Sequence, residues 1–94
     1  MPQLLTEAEV LTGIEGTDWK PEGKAIVLDR KLADFDSAWE FASAVAQVAR
    51  EADHHPDILV HGWNGVRVTL STHSVGGVTD LDLALASTIG ALPN

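Results

Sequence analysis

The sequence predicts an α+β fold in which three helices pack on one face of a four-stranded antiparallel sheet. Two observations predict it: three segments carry helix-start signals, and two pairs of strand-like segments lie between them. Strands that follow each other across a tight turn pair antiparallel, whereas parallel strands need a crossover of a dozen or more residues. The expected order is therefore helix, strand, strand, helix, strand, strand, helix, which is a helix-on-sheet architecture.

Each predicted helix starts at a Ser or Thr that an acid follows three residues later, the pattern of a capping box. The pattern occurs at 6–9 (TEAE), 37–40 (SAWE) and 79–82 (TDLD). The predicted helices span 7–12, 37–53 and about 80–91. The central helix has apolar residues at spacings of three and four, hence on one face: Ala38, Phe41, Ala42, Val45, Ala49 and Ala52. The third helix is expected to place on one side Leu81, Leu85, Thr88 and Leu92.

Two hairpins are predicted between the helices. The strands pair 17–20 with 24–32, and 57–63 with 66–72. The first turn falls in Pro21-Glu22-Gly23, and the second at Asn64-Gly65, a dipeptide that tolerates positive φ. In the last strand Val66, Val68 and Leu70 alternate with polar residues, so we expect these three to face the helices.

Length and composition limit the possible functions. A chain of 94 residues that is 45% hydrophobic suits one packed domain over 1–94. It has no cysteine, which excludes disulfides, thiolate metal sites and a cysteine nucleophile. No apolar run approaches the roughly 20 residues of a membrane span, and a signal-peptide pattern is lacking, so we expect a cytoplasmic protein. A formal net charge of -8 disfavours direct binding to nucleic-acid phosphates.

Three of the four histidines lie at the ends of predicted elements. His54 and His55 follow the central helix, which Pro56 prevents from continuing. His73 follows the last strand, just before Gly76-Gly77. Because a helix end and a strand end can meet at one edge of a sheet, the three imidazoles can converge on a pocket.

The residues alone leave other interpretations open. His54 also suits the negative end of a helix dipole, and His73 suits an ordinary surface loop. A histidine metal site is a third alternative, although adjacent histidines rarely point at one ion. His61 has the setting of an ordinary strand residue. Trp19 suits a core position and the aromatic wall of a pocket equally well.

A combination of motifs resembles the signature of the pterin-4a-carbinolamine dehydratase family. It consists of ADHHPDI at 52–58, Trp63 near the hairpin turn, and VTLSTHSVGGVTDLDLALA at 68–86. Trp19 is similar to an early tryptophan of that family, and the segment 35–56 is similar to its central helix. The resemblance covers about residues 19–89, and the second hairpin is one residue longer than is usual in the family.

The resemblance implies a hydro-lyase that removes water from a 4a-hydroxytetrahydropterin and yields the quinonoid dihydropterin, with no cofactor and no metal. It implies that the catalytic residues are His54, His55 and His73. It implies that the pterin is contacted by Asp53, Ser71, Thr72, Ser74 and Trp19. Imidazoles, whose ordinary pKa lies near 6.5, can both donate and accept protons at neutral pH.

The expected partners are a pterin substrate and further copies of the same chain. The hydrophobic content is generous for so short a chain, and Trp39, Ala46 and Val48 lie off the main apolar face of the central helix. A homodimer or homotetramer is therefore expected, and tetramers are also implied by the resemblance. The family further implies a functional link to an aromatic amino acid hydroxylase, which produces the carbinolamine. The alternative function is a non-catalytic binding or assembly protein with the same fold.

Overall fold

The computed structural model describes residues 2–93 and confirms the predicted fold class and element order. The elements are α1 (Glu7–Ile14), β1 (Lys20–Glu22), β2 (Ala25–Lys31), α2 (Phe35–Ala52), β3 (Asp57–His61), β4 (Gly65–Leu70) and α3 (Asp80–Gly90). The strands form one sheet in the order β1-β2-β4-β3, and every neighbouring pair is antiparallel. No helix within residues 2–93 is long and apolar enough to cross a membrane.

The core lies between the helices and one face of the two central strands. In β2 and β4, Ile26 pairs with Leu70 and Leu28 pairs with Val68, and all four side chains are fully buried. Val66 is buried beside them, so the face predicted for 66–70 is confirmed. Burying a side chain of this size contributes about 1.5–3 kcal/mol, which makes this stripe the main anchor for the helices.

The opposite face of the sheet carries a cluster of ion pairs. Arg67 donates two hydrogen bonds to the Asp29 carboxylate, at 2.8 and 2.9 Å, and a third to Glu22 at 3.2 Å. The hydrogen bond from Arg67 holds the pKa of Asp29 below its ordinary value. These side chains are largely exposed, so the cluster contributes little to stability and marks the side that the helices leave open.

Helix α2 starts two residues earlier than predicted, and the predicted Ser37 cap is wrong. Asp34 is the N-cap: it is extended, and its carboxylate accepts the backbone N–H of Ser37 at 2.8 Å. Asp and Ser are comparable N-caps, so the tetrapeptide pattern alone could not choose between them. The predicted face of α2 is buried from Ala38 to Ala49, whereas Ala52 is exposed.

Both turns differ from the prediction. Pro21 and Glu22 belong to β1, and the first turn is formed by Gly23 and Lys24. The second turn spans residues 62–64 rather than Asn64-Gly65, because His61 pairs with Gly65. Asn64 is used elsewhere: its side chain donates to the Leu32 carbonyl at 3.0 Å, and its own carbonyl accepts the Leu32 N–H at 2.8 Å.

The first and last helices also depart from their predicted details. Helix α1 extends to Ile14, which is buried together with Val10. In α3 the predicted stripe through Leu81 and Thr88 is wrong, since both are exposed. The buried residues of α3 are Asp82, Leu85, Ala86 and Ile89. An acid thus occupies a core position, which a search for apolar periodicity does not find.

Large aromatic side chains are exposed where α2 begins. Phe35 and Trp39 form an edge-to-face pair with ring centroids 6.3 Å apart, and about half of each side chain is exposed. Trp63, in the turn after β3, is 63% exposed at a positive φ of 60°. The pairing of Lys31 with Gly65 places this turn beside the start of α2, so the three rings share one end of the molecule.

Candidate active site

His54 is held in place by the way α2 ends. Asp53 caps the helix in the left-handed conformation, with φ 51° and ψ 42°. The backbone N–H of His54 then folds back onto the carbonyl of Ala49 at 3.2 Å, as in a Schellman-type ending. Pro56, two residues on, cannot continue a helix, so the chain leaves directly into β3. His54 itself is half-buried, while its neighbours Asp53 and His55 are exposed.

The buried partner of His54 is Asp82, a residue that the sequence indicated only as a capping acid. His54 Nε2 lies 2.5 Å from Asp82 Oδ1. The side chain of Asp82 has no exposed surface, and that of His54 is 13% exposed. A buried carboxylate is stable only when its oxygens are paired, and the imidazole pairs one of them.

The second oxygen of Asp82 collects several donors. Asp82 Oδ2 accepts the Thr72 hydroxyl at 2.7 Å, the Thr79 backbone N–H at 2.9 Å and the Thr79 hydroxyl at 3.4 Å. The Thr79 contacts are those of the predicted capping box, which the structure confirms. The capping box therefore fixes the carboxylate that faces His54, and Thr72 joins it from the end of β4.

A cavity of about 310 Å³ opens beside His54 between the last turns of α2 and helix α3. Its walls are mainly apolar, from Val48, Leu81 and Leu85, and Glu51 adds a carboxylate. This volume lies at the small end of the range of roughly 300–1,000 Å³ that is typical of small-molecule pockets. Of the three predicted catalytic histidines, His54 lines this cavity.

His73 lies in an exposed loop that closes on itself. Thr72 and Gly77 form an isolated β-bridge, with the Thr72 N–H 2.8 Å from the Gly77 carbonyl, and His73 and Ser74 occupy the turn between them. The turn is connected to His54 through Thr72 and Asp82. His54, Thr72 and, as its chain neighbour, His73 are therefore brought to one end of the sheet.

Two of the predicted pterin-contacting residues, Ser71 and Trp19, form hydrogen bonds to other parts of the protein. The Ser71 hydroxyl donates to the Lys24 carbonyl at 2.9 Å, so it bonds the first hairpin turn. Trp19 is 4% exposed, and its indole N–H donates to the Ala86 carbonyl at 3.0 Å. Trp19 lines a separate cavity of about 380 Å³ between the α1–β1 connection and α3, which His54 does not line.

Within residues 2–93 no group of three or more His, Asp or Glu side chains is arranged to hold a metal ion. His61, the fourth histidine, projects from the far end of β3 and is exposed. Asp82 is the functional candidate that sequence reasoning missed. Its signal, an acid three residues after Thr79, is indistinguishable in one sequence from an ordinary cap.

Comparison with known proteins identifies the family to which the chain belongs. A protein-family model described as "Pterin 4 alpha carbinolamine dehydratase" matches residues 3–92. A protein of Metallosphaera sedula, provisionally named a pterin-4-alpha-carbinolamine dehydratase, is 44% identical over 93 residues, covering 98% of this chain and 95% of its own. A Chloroflexus aurantiacus protein with the same name is 43% identical and covers 95% of each chain. The chain belongs to the pterin-4a-carbinolamine dehydratase family.

Solved structures agree with this assignment. The crystal structure of a transcriptional coactivator/pterin dehydratase from Brucella melitensis has a TM-score of 0.86 and 36% identity, covering 95% of this chain and 97% of its own. A pterin dehydratase-like protein described as a RuBisCO assembly factor in the alpha-carboxysome has a TM-score of 0.62 and 19% identity, covering 84% of this chain. The second likeness concerns the fold alone.

Proposed function

We propose that this protein catalyses the dehydration of a 4a-hydroxytetrahydropterin to the quinonoid dihydropterin, using imidazoles as acid and base. In this reaction the C4a–O bond breaks and the hydroxyl leaves as water after accepting a proton. A ring nitrogen loses a proton while the C=N bond forms. One group must therefore give a proton and another must take one, and histidines do both near neutral pH.

The observation that carries this proposal is the buried Asp82 carboxylate at 2.5 Å from His54 beside a mainly apolar cavity. An ordinary helix-ending histidine would interact with the last carbonyls of α2 and needs no buried acid behind it. A carboxylate that orients an imidazole is a recurring arrangement in proton-transfer sites. Family membership supplies the substrate class, and the apolar walls suit a flat bicyclic ring.

His55 and His73 complete the proposed set. Both are exposed. His55 follows His54 in the chain, and His73 follows Thr72, which is hydrogen-bonded to Asp82, so a substrate bound at this end of the sheet can contact both. Asp53 and Ser74 are exposed at the same end and remain proposed pterin contacts. Thr72 is buried, and its proposed role is indirect, through its hydrogen bond to Asp82. For Ser71 and Trp19 a contact with the pterin would require their present hydrogen bonds to be exchanged.

The test is a direct dehydratase assay in which a hydroxylase generates 4a-hydroxytetrahydropterin and the quinonoid product is followed by absorbance. We expect the protein to accelerate product formation above the spontaneous rate, in proportion to its concentration. The matched negative control is His55→Ala at the same concentration, which should give a lower rate; because His55 is exposed, we expect the variant to keep the fold. Equal rates with and without the wild-type protein would refute the proposal.

A second candidate function is that of a non-catalytic binding or assembly protein. The observation that favours it is the exposed group of Phe35, Trp39 and Trp63, since aromatic residues are enriched at the centres of protein interfaces. The names of both solved relatives include such a role for those proteins. The two functions are separated by the assay above, because a purely binding protein leaves the rate unchanged.

A further inference from the structure

A second cavity lies on the opposite side of helix α3 from His54. It is the cavity of about 380 Å³ that Trp19 lines, and it is called the Trp19 cavity below. We propose that the Trp19 cavity binds a small organic cation, a protonated amine carried on about one apolar ring. The site is separate from the candidate catalytic histidines, so the proposal does not depend on dehydratase activity.

Helix α3 separates the two cavities because each of them is lined by a different side of the helix. The side toward the His54 cavity carries Leu81, Ala84, Leu85 and Thr88. The side toward the Trp19 cavity carries Leu83, Ala86, Ser87 and Gly90. Residues three and four apart lie on the same side of a helix, so each set forms one side. A ligand in one cavity therefore leaves the other open.

Two helix C-termini meet at the Trp19 cavity. Gly13 and Ile14 line it from the last turn of α1, and Ser87 and Gly90 line it from the last turn of α3. Gly13 permits this close approach, because a Cβ there would lie 2.5 Å from Leu83 Cδ1. The C-terminus of a helix carries a partial negative charge of roughly half an elementary charge. Two such ends therefore give the cavity a negative potential.

The side chains near these helix ends add to that potential. In the described helices neither last turn contains a basic residue. Asp18 lines the same cavity, is exposed, and forms no hydrogen bond or ion pair within residues 2–93. An acid beside a helix C-terminus is unfavourable, whereas a cation in the same place is stabilising. The formal net charge of -8 for the whole chain also favours a cation over an anion.

Arg30 lines the cavity as well, but its charged end is held toward other groups. Its guanidinium carbon lies 5.0 Å from the centroid of the Phe41 ring, and its Nη1 donates to the Leu92 carbonyl at 3.4 Å. Phe41 and Leu92 lie outside the described lining of the cavity. These contacts direct the charge of Arg30 toward α2 and the segment after α3. The helix ends and Asp18 therefore decide the sign of the ligand.

The remaining wall is apolar and indicates an organic ligand. Buried surface is contributed by Ile14, Trp19, Leu28 and Ala86. The cavity lies near the lower end of the range of roughly 300–1,000 Å³ for small-molecule pockets, which suits a ligand of about one ring. A metal ion would leave these walls uncovered, and within residues 2–93 no three His, Asp or Glu side chains are grouped to coordinate one.

The test uses benzylammonium as the probe and Trp19 as the reporter. The indole N–H of Trp19 donates to the Ala86 carbonyl at 3.0 Å, so its ¹H–¹⁵N NMR signal reports on this wall of the cavity. We expect a saturable shift with a Kd of about 1 mM, the order for so small a ligand. The indole signals of the exposed Trp39 and Trp63 should stay in place as internal controls. Trp39→Phe and Trp63→Phe assign the three signals.

Related probes test the charge and the ring separately. Benzyl alcohol keeps the ring without the charge and should bind about tenfold more weakly, because it loses the attraction to two helix ends and an acid. Benzoate reverses the charge and should not bind. Methylammonium keeps the charge without the ring and should not saturate the signal at about 10 mM, since it covers little apolar surface.

Two substitutions test the location. Asp18→Asn should weaken benzylammonium binding about three- to fivefold, the upper range for an exposed ion pair, and leave benzyl alcohol unchanged. Its matched control is Asp57→Asn, which removes the same charge from an exposed position on β3, outside the described lining. Ser87→Phe should prevent binding, because the new ring fills the cavity. Ser43→Phe, at an exposed position on α2, should not.

Each outcome decides for or against the proposal. Saturable binding of benzylammonium that Asp18→Asn weakens and Asp57→Asn does not supports it. No saturable shift of Trp19 at about 10 mM, ten times the expected Kd, overturns it. Equal affinity for benzyl alcohol also overturns it, and so do shifts confined to the residues beside His54. If Ser87→Phe does not fold, the probe series and Asp18→Asn decide. Absence of dehydratase activity would leave all of these measurements unchanged.

Discussion

Thr72 and Asp82 are joined by a hydrogen bond of 2.7 Å between the end of β4 and the first turn of α3. The bond is buried, and the same carboxylate binds His54 at the end of α2. One side chain therefore connects the two segments that carry the three candidate catalytic histidines. This connection gives the site a rigid base, while His55 and His73 stay exposed above it.

The histidines are expected to differ in what their removal does. Replacing His54, His55 or His73 by Ala should lower turnover by about 10²–10⁴-fold, the range for loss of a general acid or base. His55→Ala and His73→Ala should leave thermal stability within about 0.5 kcal/mol, since both are exposed surface residues. His54→Ala should also destabilise by about 1–3 kcal/mol, because it leaves the buried Asp82 without one partner.

The control for this series is His61→Ala, a change at the exposed end of β3 away from Asp82. Turnover and the melting temperature should stay near those of the wild type. If His61→Ala abolished activity while the other three variants kept it, the site would be assigned to the wrong end of the sheet.

Activity should not depend on a metal ion. The prediction rests on the absence of cysteine and on the adjacent placement of His54 and His55, which suits separate roles better than one coordination sphere. Dialysis against a strong chelator, followed by metal analysis and the dehydratase assay, measures this. Stoichiometric zinc in the purified protein, with activity lost on removal and regained on addition, would contradict the prediction.

The protein is expected to form a homodimer or homotetramer. Trp39 is half exposed on α2, and Ala46, two turns further along the same side of the helix, is half-buried, so a second copy can cover this side. Light scattering at micromolar concentration should give a multiple of the 10.0 kDa chain mass. Trp39→Glu should reduce the mass, and Lys24→Glu, a charge change in the first hairpin turn, should not. A wild-type monomer at all concentrations would refute the prediction.

The cap of α2 should contribute to the pH dependence of stability. The backbone hydrogen bond from Ser37 lowers the pKa of Asp34 below 3.8. A lowered folded-state pKa means that the charged cap stabilises the protein above 3.8 and that this contribution is lost as the pH falls through the folded-state value. Asp34→Asn retains a capping oxygen without the charge.

Urea unfolding measures this effect. The wild type should exceed Asp34→Asn in free energy of unfolding at neutral pH, and the difference should shrink below pH 3.8. Asp57→Asn, at an exposed strand carboxylate with no side-chain hydrogen bond in the described part of the chain, serves as control. A difference between wild type and Asp34→Asn that is independent of pH would count against the charge as its cause.

The element order and the buried face of β4 could be predicted because alternation and capping patterns are local. The turn positions could not, because the partner of Asn64 is Leu32, which is 32 residues away in the chain. The same limit applies to the site. The histidines were found as motifs, but the role of Asp82 depends on a contact between residues 28 positions apart, which no spacing rule contains.

Helix α2 is about 27 Å long at 1.5 Å per residue; its first turns carry the exposed rings of Phe35 and Trp39, and His54 follows its last turn. Substitutions at one end of this helix need not disturb the other, so surface recognition and proton chemistry can change independently over evolution. A lineage could lose its chemistry and keep its contacts, or exchange its contacts and keep its chemistry. That independence offers a physical reason why proteins described as dehydratases and proteins described as assembly factors can share one small scaffold.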